Sequence, residues 1–304
     1  MRYRNTLLFC VLAAVWGSAF MAIKAGLGTP DSPAYFYEAP VLFAAARFDV
    51  AGVVMLGYGA WATDRWRPRG REEWLLVAVG AVFLIAGYHA LLFVGERGTT
   101  SAAAAVIISL SPVLTTAFAR AFLPDERLTA VGLVGMALGL LGVAVLARPD
   151  PANLVGSRFE ALVFGAAVAF ALGSVLTQRI ETALPIETME AWSMLGGAVL
   201  MHALSVALGE SVDGAPPATE TVALAYLALA ASAGGFLIYF DLLDRLGPIE
   251  INLVSYVAPV FAAISGFLFL DEVIDLPTLV GFLVIVVGFV LLKRRAIREE
   301  LARR

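Results

Sequence analysis

The chain has 304 residues, a formal net charge of −4 and a composition that is 60% hydrophobic but only 15% charged. Soluble domains run nearer 45–50% apolar and about 25% charged, and single cores stop growing near this length, so a water-soluble globule is excluded in favour of a chain that faces lipid. The acidic balance argues against a nucleic-acid partner, and the single cysteine, Cys10, excludes an intrachain disulfide or a cysteine metal cluster.

The first apolar run covers about 7–27. Arg2 and Arg4 ahead of it imitate a signal peptide, but the run continues through Trp16 to Leu27, which predicts an uncleaved first span. Trp16 and Phe20 either pack between helices or line a cavity. The second run, about 40–61, contains Arg47 roughly 10 Å inside its end. An arginine at that depth faces a polar interior or a partner, so Arg47 either counters a substrate carboxylate or clamps another helix. Asp49 lies about 200° further round the helix and does not share that face. It is the acid placed well inside a span, a candidate proton carrier or a structural carboxylate.

The third run, about 74–95, brings His89 beside Tyr88 and Phe93, a polar and aromatic mixture that suits a ligand wall or a packed histidine. The fourth, about 101–123, carries Ser111 and Pro112. Pro112 frees a helix carbonyl that a cavity or neighbour must satisfy. The fifth, about 128–147, has glycines at 132, 135, 139 and 142, a small-residue face for packing within the chain or for dimerisation. Runs at about 159–179, 188–208, 221–243, 249–270 and 276–292 complete the set. They carry Trp192 and the lone His202 in the seventh, Tyr239 in the eighth, and Asn252, Tyr256 and Pro259 in the ninth. Glu126 and Glu272 open the fifth and tenth runs, where an acid complements the positive helix end or serves a gate.

Each run is near the roughly 20 residues that cross a hydrocarbon core, which predicts an all-α polytopic protein with ten transmembrane helices. With the N-terminus in the cytoplasm, 16 of the 21 lysines and arginines fall on the inner side, so both termini are expected inside a cell membrane. The halves also repeat. Ser111-Pro112-Val113 matches Ala258-Pro259-Val260, and Gly135 and Gly142 match Gly281 and Gly288 at an offset of 146. This divides the chain into five-helix repeats at 1–150 and 151–304, and because five is odd the second is inverted.

The same stretches resemble the EamA-type members of the drug/metabolite transporter superfamily. The resemblance rests on Trp16-Gly17-Ser18-Ala19-Phe20, on Arg47-Phe48, and on Thr99 through Pro112 to Leu123-Pro124-Asp125-Glu126. Leu246-Gly247-Pro248-Ile249 through Pro259 to Asp271-Glu272 repeats the last block. It covers essentially the whole chain, although Gly95-Glu96-Arg97-Gly98 departs from the family's usual run there. It implies a ten-helix carrier, often an exporter of amino acids or other small metabolites, with a cavity walled by spans one, three, four, six, eight and nine.

Phosphate loops, metalloprotease motifs, nucleophile elbows and paired cysteines are missing from the sequence, so an enzyme is not expected. The expectation is a secondary exporter of small metabolites, amino acids or drug-like compounds, working by alternating access without cofactor or metal. The rivals are a membrane-embedded lipid-modifying enzyme and a non-transporting scaffold. The expected substrate-binding residues are Trp16, Arg47, His89, Ser111, Asn252 and Tyr256, with Pro112 and Pro259 as kinks. The expected partners are the bilayer and a small-molecule substrate, with a second copy on the glycine face as the alternative to packing within the chain.

Overall fold

A computed structural model describes residues 2–29, 32–98, 104, 107–123, 130–147 and 158–269, and in the last helix 276, 279–281, 283–288 and 290–291. The chain runs α1 (Arg2–Leu27), β1 (Gly28–Thr29), β2 (Ser32–Pro33), α2 (Pro40–Ala62), α3 (Arg71–Val79), π1 (Gly80–Gly87) and α4 (Tyr88–Gly98). It continues with α5 (Ser111–Phe122), α6 (Ala130–Ala147), α7 (Arg158–Arg179) and α8 (Ile186–Leu208). Then follow α9 (Ala218–Tyr226), π2 (Leu227–Gly234), α10 (Gly235–Leu246), α11 (Pro248–Ile251) and α12 (Val254–Phe269). Among the described residues six helices are long and apolar enough to cross a membrane, and three shorter apolar helices accompany them. The protein is therefore an all-α polytopic membrane protein. Glu126 and Glu272 lie outside the described residues.

One small element departs from the expected all-helical reading. Gly28 pairs with Pro33 and Thr29 with Ser32 in a two-strand ladder between the first two helices. Gly28 has φ 67, a conformation that glycine adopts without strain.

Two of the composite helices carry a π-helical stretch, where the backbone pairs i to i+5. π1 and π2 each span eight residues, and 147 positions separate them. Each continues as α-helix on both sides, so α3–π1–α4 and α9–π2–α10 are single rods with a widened middle.

The rods approach closely because glycines face neighbouring backbones. A Cβ on Gly17 would lie 2.3 Å from the Ala258 carbonyl oxygen, which sets α1 against α12. A Cβ on Gly95 would meet Val163 at 2.5 Å, and one on Gly197 would meet Ile85 at 2.3 Å. Without a hydrophobic drive between helices in lipid, such small-residue contacts are what hold a bundle together. Gly139 lies under the Tyr256 ring, and Gly142 meets Ile285. The glycine face of α6 is thus occupied by this chain's own ninth and tenth runs.

Among the described elements the seam between α2 and α8 is the most extensive, and it is antiparallel. At one end the α2 amides of Val41 and Leu42 donate to the two carboxylate oxygens of Glu210, at 3.1 and 2.8 Å. Lower down Gly52 abuts Leu195. At the far end Thr188 donates to the Arg65 carbonyl and Trp192 Nε1 to the Trp66 carbonyl. An acid receiving the first amides of a helix satisfies groups that have no intrahelical partner.

Candidate functional site

A cavity lies between α1, α2, α4, α5, α7, α10 and α12. Its apolar wall comes from Trp16, Phe20, Ile23, Leu92, Phe170 and Phe236. Arg47, His89, Ser111, Asn252 and Ser255 supply the polar groups, and Pro259 closes the α12 side. The free volume is about 70 Å³. That is far below the roughly 300–1,000 Å³ of a drug-sized site. The conformation is therefore a narrow one.

Arg47 is 3% exposed. Its Nε donates to Ser232 Oγ on π2 at 2.5 Å, and its guanidinium carbon stands 5.1 Å from the Phe48 ring centroid. Among the described residues no acceptor is hydrogen-bonded to its two terminal nitrogens. A planar fork with unused donors on an aromatic cavity is suited to a carboxylate or another two-oxygen anion.

His89 follows the π1 stretch directly, and its Nδ1 is 2.9 Å from the Ile85 carbonyl. That bond makes Nδ1 the donor and leaves Nε2 as an acceptor. The ring is held edge-on by Phe48 and Tyr88 at 4.5 and 4.7 Å. Trp16 donates from Nε1 to the Ala231 carbonyl of π2 at 3.0 Å. Its ring lies 5.9, 5.4 and 5.3 Å from Phe170, Phe236 and Tyr239. Ile85 lies in π1 and Ala231 in π2, so two side chains of the cavity wall, His89 and Trp16, each bond a carbonyl of a π stretch.

Asn252 lines the cavity but is fully engaged. Its Nδ2 donates to Thr115 Oγ1 and Ser174 Oγ, both at 2.8 Å, and its Oδ1 accepts from Tyr239 at 3.0 Å. The side chain ties α5, α7 and α10 to the break between α11 and α12. Ser111 donates to the Ile108 carbonyl at 2.6 Å, a local bond in the turn before Pro112.

Of the residues expected at the site, Trp16, Arg47, His89, Ser111, Asn252 and Pro259 border this one cavity. Tyr256 does not. Asn252, Ser255 and Pro259 share a helical face toward the cavity, and Tyr256, 100° round from Ser255, turns to Gly139 on α6. Pro112 is buried beside Ser111 without reaching the lining. The sequence reading passed over Ser232, whose one signal was a hydroxyl in an apolar run. It also missed Thr115 and Ser174, because periodicity does not say which helices meet.

Asp49 and His202 sit elsewhere. His202 Nε2 is 2.7 Å from Asp49 Oδ2 across the α2–α8 seam, on the outside of the bundle. Two residues that look isolated in sequence are partners. Among the described residues no group of three metal-ligating side chains occurs.

The ends of the bundle differ. On the side of the β1–β2 ladder, Lys24 Nζ donates to the Glu96 carbonyl at 2.9 Å, and Arg97 pairs with Glu38 at 2.7 Å over the Tyr37 ring. Tyr35 donates to the Gly214 carbonyl at 2.6 Å. At the opposite end a polar pocket of about 350 Å³ opens between the α7–α8 connector and α10, lined by Thr177, Gln178, Glu181, Thr182 and Asp244.

The sequence profile of the EamA-like transporter family matches the chain twice, over residues 4–148 and 158–294. The chain is 29% identical over 272 residues to the "Uncharacterized inner membrane transporter YedA" of Escherichia coli K12, covering 88% of this chain and 84% of that protein. It is 29% identical over 283 residues to the "Probable terminal-alkyne amino-acid exporter" of Streptantibioticus cattleyicolor, covering 93% of this chain and 91% of the relative. A solved protein of 24% identity shares the fold at a TM-score of 0.76, over 99% of this chain and all of its own. A bundle of apolar helices, matched twice along its length by a single profile and related to proteins named as transporters, belongs to the EamA-like transporter family and is a membrane transporter.

Proposed function

We propose that the protein is a secondary transporter that exports small amphipathic metabolites bearing a carboxylate, amino acids among them, by alternating access at the Arg47 cavity. The carrying observation is Arg47 itself, a buried guanidinium on a mostly apolar wall whose terminal donors have no hydrogen-bond partner among the described residues. The substrate carboxylate takes that fork. Trp16, Phe20, Phe170 and Phe236 hold its apolar part, and His89 Nε2 accepts a donor such as an ammonium. Ser111 and Asn252 shape the floor. The name of the Streptantibioticus relative supports the amino-acid part of this reading.

The moving parts are two inverted five-helix halves, 1–150 and 151–304, making ten spans with both termini cytoplasmic. Several features support that arrangement. The π stretches recur at an offset of 147, close to the 146 of the glycine pairs. Packing pairs recur with the halves exchanged: α1 on α12 and α5 on α7, π1 on α8 and π2 on α2. The polar pocket lined by Glu181 and Asp244 is then the cytoplasmic vestibule, and the Lys24, Arg97 and Tyr35 contacts are the closed outer latch. Pro112 and Pro259 supply the bends about which the halves rock.

The test is counterflow in proteoliposomes with a library of carboxylate-bearing metabolites and their methyl esters. Uptake of an acid with little uptake of its ester is the expected result. Flux of esters and cations with exclusion of acids overturns the substrate assignment, and no flux of any compound overturns secondary transport.

A further inference from the structure

The Asp49–His202 pair has a setting that the transport cavity does not explain. Asp49 is nine residues into α2 and His202 six residues from the end of α8. At 1.5 Å per residue they lie roughly 14 and 9 Å inside the helix ends. A hydrocarbon core is about 30 Å thick, so the pair sits well within it. Yet the side chains remain 48% and 41% exposed on the bundle's outer surface. Polar groups at this depth normally face a bundle interior, because lipid tails offer no hydrogen bond.

We propose that the α2–α8 face around Asp49 and His202 is the contact surface between two copies of this chain. Only one bond of the pair is made. Among the described residues Asp49 Oδ1 and His202 Nδ1 have no partner. In its ion-pair form the couple therefore offers one spare acceptor and one spare donor side by side. That set is self-complementary under a two-fold axis along the membrane normal, which brings Oδ1 to the partner's His202 and Nδ1 to the partner's Asp49. Two half-satisfied pairs close into a ring of four and leave no polar atom facing lipid. A lipid headgroup is the poorer occupant, since it would have to descend about 9 Å or more below the helix ends.

The surroundings fit a helix-on-helix contact. Val50, Val53, Val199 and Val206 are exposed around the pair and form an apolar rim. Gly57 has nothing within 4 Å of where a Cβ would stand, so another backbone can approach there. The seam beneath is pinned at both ends, by Glu210 on the α2 amides and by Thr188 and Trp192 on the 65–66 backbone. A surface that keeps its shape suits a lasting interface.

The experiment uses the full chain in lipid bilayers at a low protein-to-lipid ratio. Single-molecule photobleaching of the labelled protein counts copies per spot. In a Cys10→Ser background, Val53→Cys is cross-linked with a short bis-maleimide, and Leu141→Cys on α6 serves as the comparison. Two-step bleaching and a cross-linked dimer at position 53, at least tenfold above that at 141, are expected. The double variant Asp49→Leu/His202→Leu, which leaves lipid nothing polar to cover, should shift the dimerisation midpoint at least tenfold toward higher density. Single-step bleaching of the wild-type chain overturns the proposal whether or not that variant folds. So does native mass spectrometry showing a monomer with one lipid that the double variant loses.

Discussion

Arg47 and Asn252 border the same cavity in opposite hydrogen-bonding states, one with spare donors and the other with none. Their substitutions should therefore separate. Arg47→Gln removes a charge-assisted contact worth about 1.5–3 kcal/mol, so a carboxylate ligand should bind about ten- to a hundredfold more weakly. Arg47→Lys keeps the charge but not the fork, and should fall between. Calorimetry in detergent reads both, and equal affinity in all three proteins would move the carboxylate elsewhere. Asn252→Ala strips Thr115, Ser174 and Tyr239 of a partner at once. Each stranded buried group costs about 1–3 kcal/mol, so the main effect should be on stability, a clear fall in the thermal midpoint, with any loss of affinity secondary. A binding defect with an unchanged midpoint would return Asn252 to direct ligand contact. At this scale the sequence told which residues are costly in lipid, and cost is readable one residue at a time. It could not tell a spare donor from a spent one, because Ser232, Thr115 and Ser174 come from other helices.

The helices themselves were legible because crossing lipid demands long apolar runs, and the run at 40–61 reappears as Pro40–Ala62 almost unchanged. The π stretches were not. A shift from i+4 to i+5 pairing has no composition of its own, and the trace in the sequence is slight: Ala86-Gly87 and Ala233-Gly234 end the two stretches 147 residues apart. Close crossings were half legible, since glycines mark a small face without saying what fills it. Gly17 illustrates the consequence. A side chain there would press on the Ala258 backbone, so Gly17→Val should part α1 from α12 at a cost of roughly 1–3 kcal/mol, seen as a lower thermal midpoint. Gly57→Ala, which meets nothing and replaces a poor helix former, should not lower the monomer's midpoint in detergent. Equal effects would mean that the α1–α12 contact yields easily.

For the molecule as a whole, orientation rests on charge alone. Asp64 and Asp213 are both exposed, in connectors at opposite ends of the bundle. Cysteines at these two positions in a Cys10→Ser background should react differently with a membrane-impermeant thiol reagent. In intact cells Asp213→Cys should label and Asp64→Cys should not, until the membrane is opened. The reverse pattern would invert the protein, and equal labelling would remove the ten-span arrangement. The pairing of Asp49 with His202 was beyond the sequence for a related reason: they belong to different halves, and only folding shows that α2 and α8 share a seam.

The five tryptophans are distributed unevenly. Trp66, Trp74 and Trp192 gather around the 63–70 connector, with Trp192 within 6.5 Å of Trp66 and 5.3 Å of Trp74, and Trp61 stands at the end of α2 beside Tyr58. Trp16 alone looks into the cavity, its indole fixed by the Ala231 carbonyl. The chain thus has a built-in optical gauge: a ligand arriving at Arg47 changes the surroundings of one fluorophore and leaves four undisturbed. With those four replaced by phenylalanine, the colour of the remaining emission would follow the site through its transport cycle without any attached dye.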